Sequence, residues 1–184
     1  MNKYVKFILW LLVCIIFMVS VFFLYDYLKD SDEIQNELQN IASSSGNQEA
    51  IDFEVLDSNQ ERVKLSNYFG KPIVINAWAS WCTPCCAELP HFQKAYEKYS
   101  GDVEFLMINL TDGISETPEG TLQFVQDNNY SFPIYFDLLG QATKAYGIYS
   151  IPRTLFINES GEVVKDFTGM INEPILEDNI LNIL

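Results

Sequence analysis

Hydrophobic and polar positions divide the chain into three stretches. From Phe7 to Tyr25 no charged residue occurs. At about 1.5 Å per residue that run reaches about 28 Å, close to the hydrocarbon thickness of a bilayer, so residues 7–25 are expected to form a transmembrane signal-anchor helix. Lys3 and Lys6 precede it, while Asp26, Asp30, Asp32 and Glu33 follow it. The positive-inside rule then places residues 1–6 in the cytoplasm and the rest outside. A cleaved signal peptide fits less well, because the apolar run exceeds a usual h-region and Val21 to Tyr25 offers no small-residue cleavage site. Cys14 does not read as a lipidation site: Val13 before it is not small, and the apolar run continues beyond it. Residues 26–50 turn polar, with Ser43 to Gln48 at the centre, and are expected to be a flexible juxtamembrane linker in which Ile34, Leu38 and Ile41 recur at helical spacing.

From Ile51 onward the pattern is that of a folded α/β domain, expected over residues 51–184. Phe53 to Leu56 and Arg62 to Leu65, split by the turn-forming Asp57 to Gln60, predict an N-terminal hairpin. Ser66 to Gly70 reads as a capped helical turn. The unbroken apolar run Ile73 to Ala77 predicts a buried strand. After it, Leu89, Phe92, Ala95, Tyr96 and Tyr99 predict a helix from Cys85 that Gly101 stops. Val103 to Leu110 predicts a second buried strand, and strand, helix, strand in that order implies a right-handed crossover. A helix starting at Thr117-Pro118-Glu119, with Leu122, Phe124 and Val125 as its apolar side, is followed by a short run from Phe132 to Phe136. Leu138 to Tyr146 reads as another helix. Thr154 to Ile157 and Val163 to Thr168 flank a turn and predict an antiparallel hairpin. Asn172 to Leu184 predicts a packing helix with Ile175, Leu176, Ile180, Leu181 and Leu184 on one side.

Composition narrows the function. The net charge of −14 and the lack of any basic run argue against nucleic acid as a partner. Only four cysteines occur, one of them in the apolar N-terminal run, so a framework of structural disulfides is not expected. The thiols must be explained as chemistry.

Cys82 and Cys85 lie between the buried strand and its helix. The first N–H groups of a helix are unpaired and its dipole is positive there, so a thiolate at Cys82 is favoured. Cys82 therefore reads as the nucleophile and Cys85 as the resolving thiol. The rival is half of a zinc site, but Cys86 points about 100° away from Cys85 on a helix and His91 lies more than a turn beyond. Pro84 stiffens the helix entrance. Trp78 and Trp81 flank the dithiol and are expected to pack and shield it, with Trp81 and Pro84 bordering the substrate. Glu88 falls on the helical face of Cys85. It suits either proton transfer and tuning of the thiols or an ordinary first-turn pairing with the helix dipole.

The run from Trp81 to Pro90, of the form W-C-x-P-C-x-x-E-x-P, resembles the membrane-tethered, extracytoplasmic thioredoxin-like oxidoreductases of the TlpA/ResA type, within the AhpC/TSA-redoxin-like superfamily. Tyr146 to Asn158 is similar to the segment that places a proline, usually cis, opposite the dithiol. The resemblance covers about residues 51–184. It implies a thioredoxin-like fold with a central helix-strand insertion over 111–136, a cis bond before Pro152, and Ile151 presented for strand-like pairing with a substrate peptide. It implies that Glu88 tunes the cysteines. Cys86 stands where the family usually has Arg or Lys and is expected to be inert and partly buried, and Arg153 replaces the usual Thr. No cofactor is implied beyond the redox-active Cys82-Cys85 disulfide. The implied partners are disulfide-containing proteins such as apocytochrome c or spore-envelope proteins, and a CcdA-type membrane electron donor, with the protein itself a monomer. Two rivals stand beside this reading: a thiol peroxidase, whose P-x-x-x-T-x-x-C setting is missing here, and a non-catalytic binding module on the same scaffold.

Overall fold

The computed structural model describes residues 17–20 and 48–184. The spanning helix expected over 7–25 and the linker helix around Ile34 to Ile41 lie outside the described residues, except that Phe17 to Ser20 are helical. Among the described residues no helix is long and apolar enough to cross a membrane.

The domain is built on one eight-stranded sheet. Its strands are β1 (Gln48–Glu49), β2 (Glu54–Leu56), β3 (Arg62–Lys64), β4 (Ile73–Trp78), β5 (Glu104–Asn109), β6 (Ile134–Phe136), β7 (Arg153–Ile157) and β8 (Glu162–Thr168), in the order β1-β8-β7-β4-β5-β6-β2-β3. β4, β5 and β6 run parallel, and β7, β8 and the β2-β3 hairpin join antiparallel. The sheet starts at Gln48, three residues ahead of the expected domain start at Ile51, because Gln48 and Glu49 pair with Val163 and Glu162.

A 3-10 turn (Leu65–Tyr68) and four α-helices complete the described domain: α1 (Thr83–Tyr99), α2 (Pro118–Asp127), α3 (Gln141–Ala145) and α4 (Glu173–Leu181). β4 is buried along its whole length and sorts its residues by the two-residue period of a strand. Val74 and Trp78 face a core with Leu89 and Phe92 of α1, Val125 of α2 and Leu176 and Ile180 of α4. Ile73 and Ile75 face the opposite core, with Phe53, Leu65 and Ala142. The strand is thus covered on both faces, which is why it reads as one apolar run.

Two amphipathic assignments need correction. On α2 the buried residues are Thr121 and Val125, whereas Leu122 is 37% exposed. Thr121 reaches the interior because its hydroxyl finds a carboxylate there, Glu116 Oε1 at 3.2 Å. On α4 and the residues after it, Leu176, Ile180 and Ile183 are buried at four- and three-residue spacing, while Ile175, Leu181 and Leu184 face outward. An apolar surplus hid the true stripe. The helices begin where side chains cap them: Thr117 Oγ1 accepts from Gly120 N at 3.1 Å, and Asn172 Oδ1 from Ile175 N at 3.0 Å. Asp137 does the same for α3, accepting from Ala142 N and Thr143 N.

Candidate active site

β4 ends at Trp78, and the turn Ala79 to Cys82 closes with Cys82 N donating to Ala79 O at 3.2 Å. Cys82 is itself the N-cap of α1, its Sγ accepting from Cys85 N at 3.3 Å, with Pro84 in the first turn. The helix starts two residues before the expected Cys85 because the Cys82 sulfur satisfies one of the free donors of its first turn, Cys85 N. Cys82 and Cys85 form a disulfide with Cα atoms 5.2 Å apart. Cys82 is 5% exposed and Cys85 is fully buried. An incoming thiol or disulfide therefore meets Cys82 first. The N–H that caps Cys82 also favours its thiolate once the disulfide opens.

Behind the dithiol lies Glu88, fully buried on α1. Its Oε1 accepts from Asn76 Nδ2 at 2.7 Å and its Oε2 from Ile171 N at 2.8 Å. Burial pushes its pKa up from 4.5 to about 7, against the downward pull of those two donors. That is the range in which a carboxyl can both take and give a proton near neutral pH. An ordinary first-turn pairing with the helix dipole would leave Glu88 on the surface, whereas it is buried beyond the first turn. Asn76 also donates to Thr154 Oγ1 of β7 at 3.2 Å. Asn76 and Thr154 were not legible as site residues, although a lone Asn inside the buried run of β4 was a signal: a buried amide needs a partner.

The register Ala77 to Arg153 between β4 and β7 brings Pro152, one step further, beside the end of β4 where the dithiol turn departs. The Ile151-Pro152 bond is cis, the isomer the resemblance implies, and Pro152 is buried while Ile151 is partly exposed. Arg153 is structural: it grips Asp166 through Nε and Nη2 and donates from Nη1 to Gly147 O. Trp78 and Trp81 part company. Trp78 is buried against Phe124, ring centroids 5.7 Å apart, but Trp81 is 62% exposed and shields nothing. The turn points Trp81 outward and leaves it on the surface around Cys82. Cys86 and His91, the residues a zinc reading requires, diverge from the dithiol. Cys86 Sγ donates to Ser80 O at 3.2 Å, and His91 lies 3.6 Å from Glu173. Burial, then the Glu116 charge, pushes the Cys86 pKa up.

A disulfide at a helix N-terminus, buried but for an edge of Cys82, on a thioredoxin-like sheet with a cis-proline beside it, defines a thiol-disulfide oxidoreductase. The AhpC/TSA family profile matches residues 47–166, and the chain belongs to that family. Named relatives agree with the chemistry. The chain is 37% identical over 133 residues to the thiol-disulfide oxidoreductase ResA of Halalkalibacterium halodurans, covering 71% of this chain and 73% of that protein. It is 32% identical over 137 residues to ResA of Bacillus subtilis, covering 74% of each. Among solved structures, StoA from Bacillus subtilis superposes with a TM-score of 0.62 at 30% identity, over 71% of this chain and 97% of that one. The protein is a protein-disulfide reductase with a thioredoxin-like fold.

Proposed function

We propose that the domain is held outside the cytoplasm by residues 7–25 and reduces disulfides of secreted or membrane-associated proteins. Cys82 thiolate attacks one sulfur of the substrate disulfide, forming a mixed disulfide and releasing the first substrate thiolate. Glu88 takes the proton of Cys85, whose thiolate attacks Cys82 Sγ. The second substrate thiol leaves, two electrons have passed to the substrate, and the Cys82-Cys85 disulfide is re-formed. A membrane donor of the CcdA type returns the electrons. The observation that carries this reading is the asymmetry of the disulfide: Cys82, capping α1, keeps the small exposed edge, and Cys85 is sealed on the helical face of a carboxyl poised near neutrality.

Direction follows from charge. No histidine lies between the cysteines, and the Glu88 carboxyl stands on the helical face of Cys85, so thiolates are less stabilised and the dithiol is a reductant. A reduction potential near about −270 mV or lower fits, and one near about −120 mV overturns the direction. Apocytochrome c and spore-envelope proteins are the substrates proposed. The latter is supported by 33% identity over 110 residues to the sporulation thiol-disulfide oxidoreductase A of Bacillus subtilis. A Cys85→Ser protein, which cannot resolve mixed disulfides, is expected to capture partners on Cys82. Captured C-x-x-C-H proteins support cytochrome maturation, spore-coat proteins support the second substrate, and no Cys82-dependent capture removes the reading.

A further inference from the structure

Glu116 has no place in the chemistry above, yet it is 2% exposed in the loop before α2 and accepts four hydrogen bonds. Two of them come from Ser80: N–H to Oε1 at 2.8 Å and Oγ to Oε2 at 2.7 Å. Asn109 Nδ2 at 2.6 Å and Thr121 Oγ1 at 3.2 Å complete the set. The loop carrying Glu116 is itself tied down, because Asp112 Oδ1 accepts from the N–H groups of Ile114, Ser115 and Glu116. The third polar group of Ser80, its carbonyl, accepts from Cys86 Sγ at 3.2 Å. Every hydrogen-bonding group of Ser80 is thus engaged.

Ser80 and Trp81 are the two central residues of the turn that Cys82 N closes on Ala79 O. Cys82 is held independently by its cap on Cys85 N and by Cys86 N donating to Cys82 O at 3.0 Å. Trp81, 62% exposed, has no such anchor of its own and takes its place from Ser80. We propose that Glu116, with the Cys86 thiol, is a positioning residue: it clamps Ser80 so that Trp81 stands fixed beside Cys82 as a contact for the polypeptide around a substrate disulfide. A rigid aromatic already in its bound position loses little freedom on docking. The clamp therefore acts on recognition of protein substrates and leaves the attack of Cys82 on a small disulfide alone. Cys86 serves here as a weak donor, a use that requires its proton and fits its poor standing as a nucleophile.

The inference rests on the reading that Trp81 borders the substrate. Steady-state reduction of insulin and of hydroxyethyl disulfide, with dithiothreitol returning electrons to the dithiol and its uncatalysed rate subtracted, is compared for the wild-type chain, Glu116→Ala, Glu116→Gln, Trp81→Ala and the Glu116→Ala/Trp81→Ala pair. The expected result is that Glu116→Ala raises KM for insulin about tenfold, the scale of losing one aromatic anchor, with the rate on hydroxyethyl disulfide within about twofold. Gln keeps the acceptor for Ser80 N and an amide for its hydroxyl, so Glu116→Gln recovers most of the loss. The pair is no worse than Trp81→Ala alone, since Glu116 acts through Trp81. Additive losses, an equal loss on both substrates, or an unaffected Glu116→Ala protein overturn the proposal. If Glu116→Ala does not fold, Ser80→Ala, which removes only the hydroxyl arm, takes its place in the same cycle with a smaller loss of the same sign. Activity surviving Cys82→Ser removes the dithiol reading itself, a result separable from all of these.

Discussion

Replacing Glu88 by Gln removes one ionisable group from the interior without changing its shape. Folding raises the Glu88 pKa from 4.5 to about 7, chiefly by burial. The folded state therefore holds the proton more tightly than the unfolded chain does. The stability this contributes is fully present below about pH 4.5 and is lost as pH rises through about 7. At about 1.4 kcal/mol per pH unit the full swing is about 3 kcal/mol. For a domain of this size that corresponds to roughly 6–12 °C in Tm. The measurement is the unfolding of the oxidised protein across pH 4 to 8.5, by denaturant or heat, for wild type and Glu88→Gln. Other titrating groups cancel in the difference between the two curves. The wild type should fall relative to the variant by about 3 kcal/mol over that range, most steeply between about pH 4.5 and 7. Parallel curves would falsify the assignment of a near-neutral pKa to a buried carboxyl. The variant also separates stability from catalysis. The wild-type resolution step should quicken as pH rises through about 7, while Glu88→Gln should be slower by about 10²-fold and lack that limb.

Three further outcomes are expected. Asn76→Ala withdraws one of the two donors to Glu88; its pKa should rise further, and the protein should lose about 1–3 kcal/mol at pH 8 but less at pH 5, read from the same titration. Arg153→Ala breaks the two-point contact with Asp166 and the bond to Gly147 O; with both charges partly exposed, denaturant unfolding should show a loss of about 0.5–1 kcal/mol that shrinks in high salt. Phe156→Ala empties a fully buried site on β7 and should cost about 3–5 kcal/mol, with the activity of the protein that remains folded unchanged at low temperature.

The order of elements was legible because local rules and burial agreed. The run Ile73 to Trp78 is apolar since both faces are covered, and the helix after it starts at a residue that caps it, so pattern and structure coincide around the dithiol. Legibility failed where contact partners decided. Ile175 and Leu181 are as apolar as Leu176 and Ile180, and only the packing of α4 against α1 separates them. Trp81 and Trp78 differ in the same way, one inside the sheet and one on the turn beyond it. Glu88 could be placed on the face of Cys85 by its spacing, but its partners come from β4 and the stretch before α4, far apart in sequence.

A pattern in the two central strands accounts for what was missed. β4 and β5 run parallel, and each carries a single asparagine buried among apolar neighbours, Asn76 and Asn109. Each of these amides donates to a buried carboxyl group, Asn76 to Glu88 and Asn109 to Glu116. An apolar side chain at either position would leave the carboxyl short of a donor in a low-dielectric interior, at a cost of about 1–3 kcal/mol. Glu88 sits behind Cys85, and Glu116 holds the turn that precedes Cys82. The polar exceptions in the strands are therefore the roots of the site: one supports the buried carboxyl on the helical face of Cys85, and the other supports the carboxyl that binds Ser80 in the turn before Cys82.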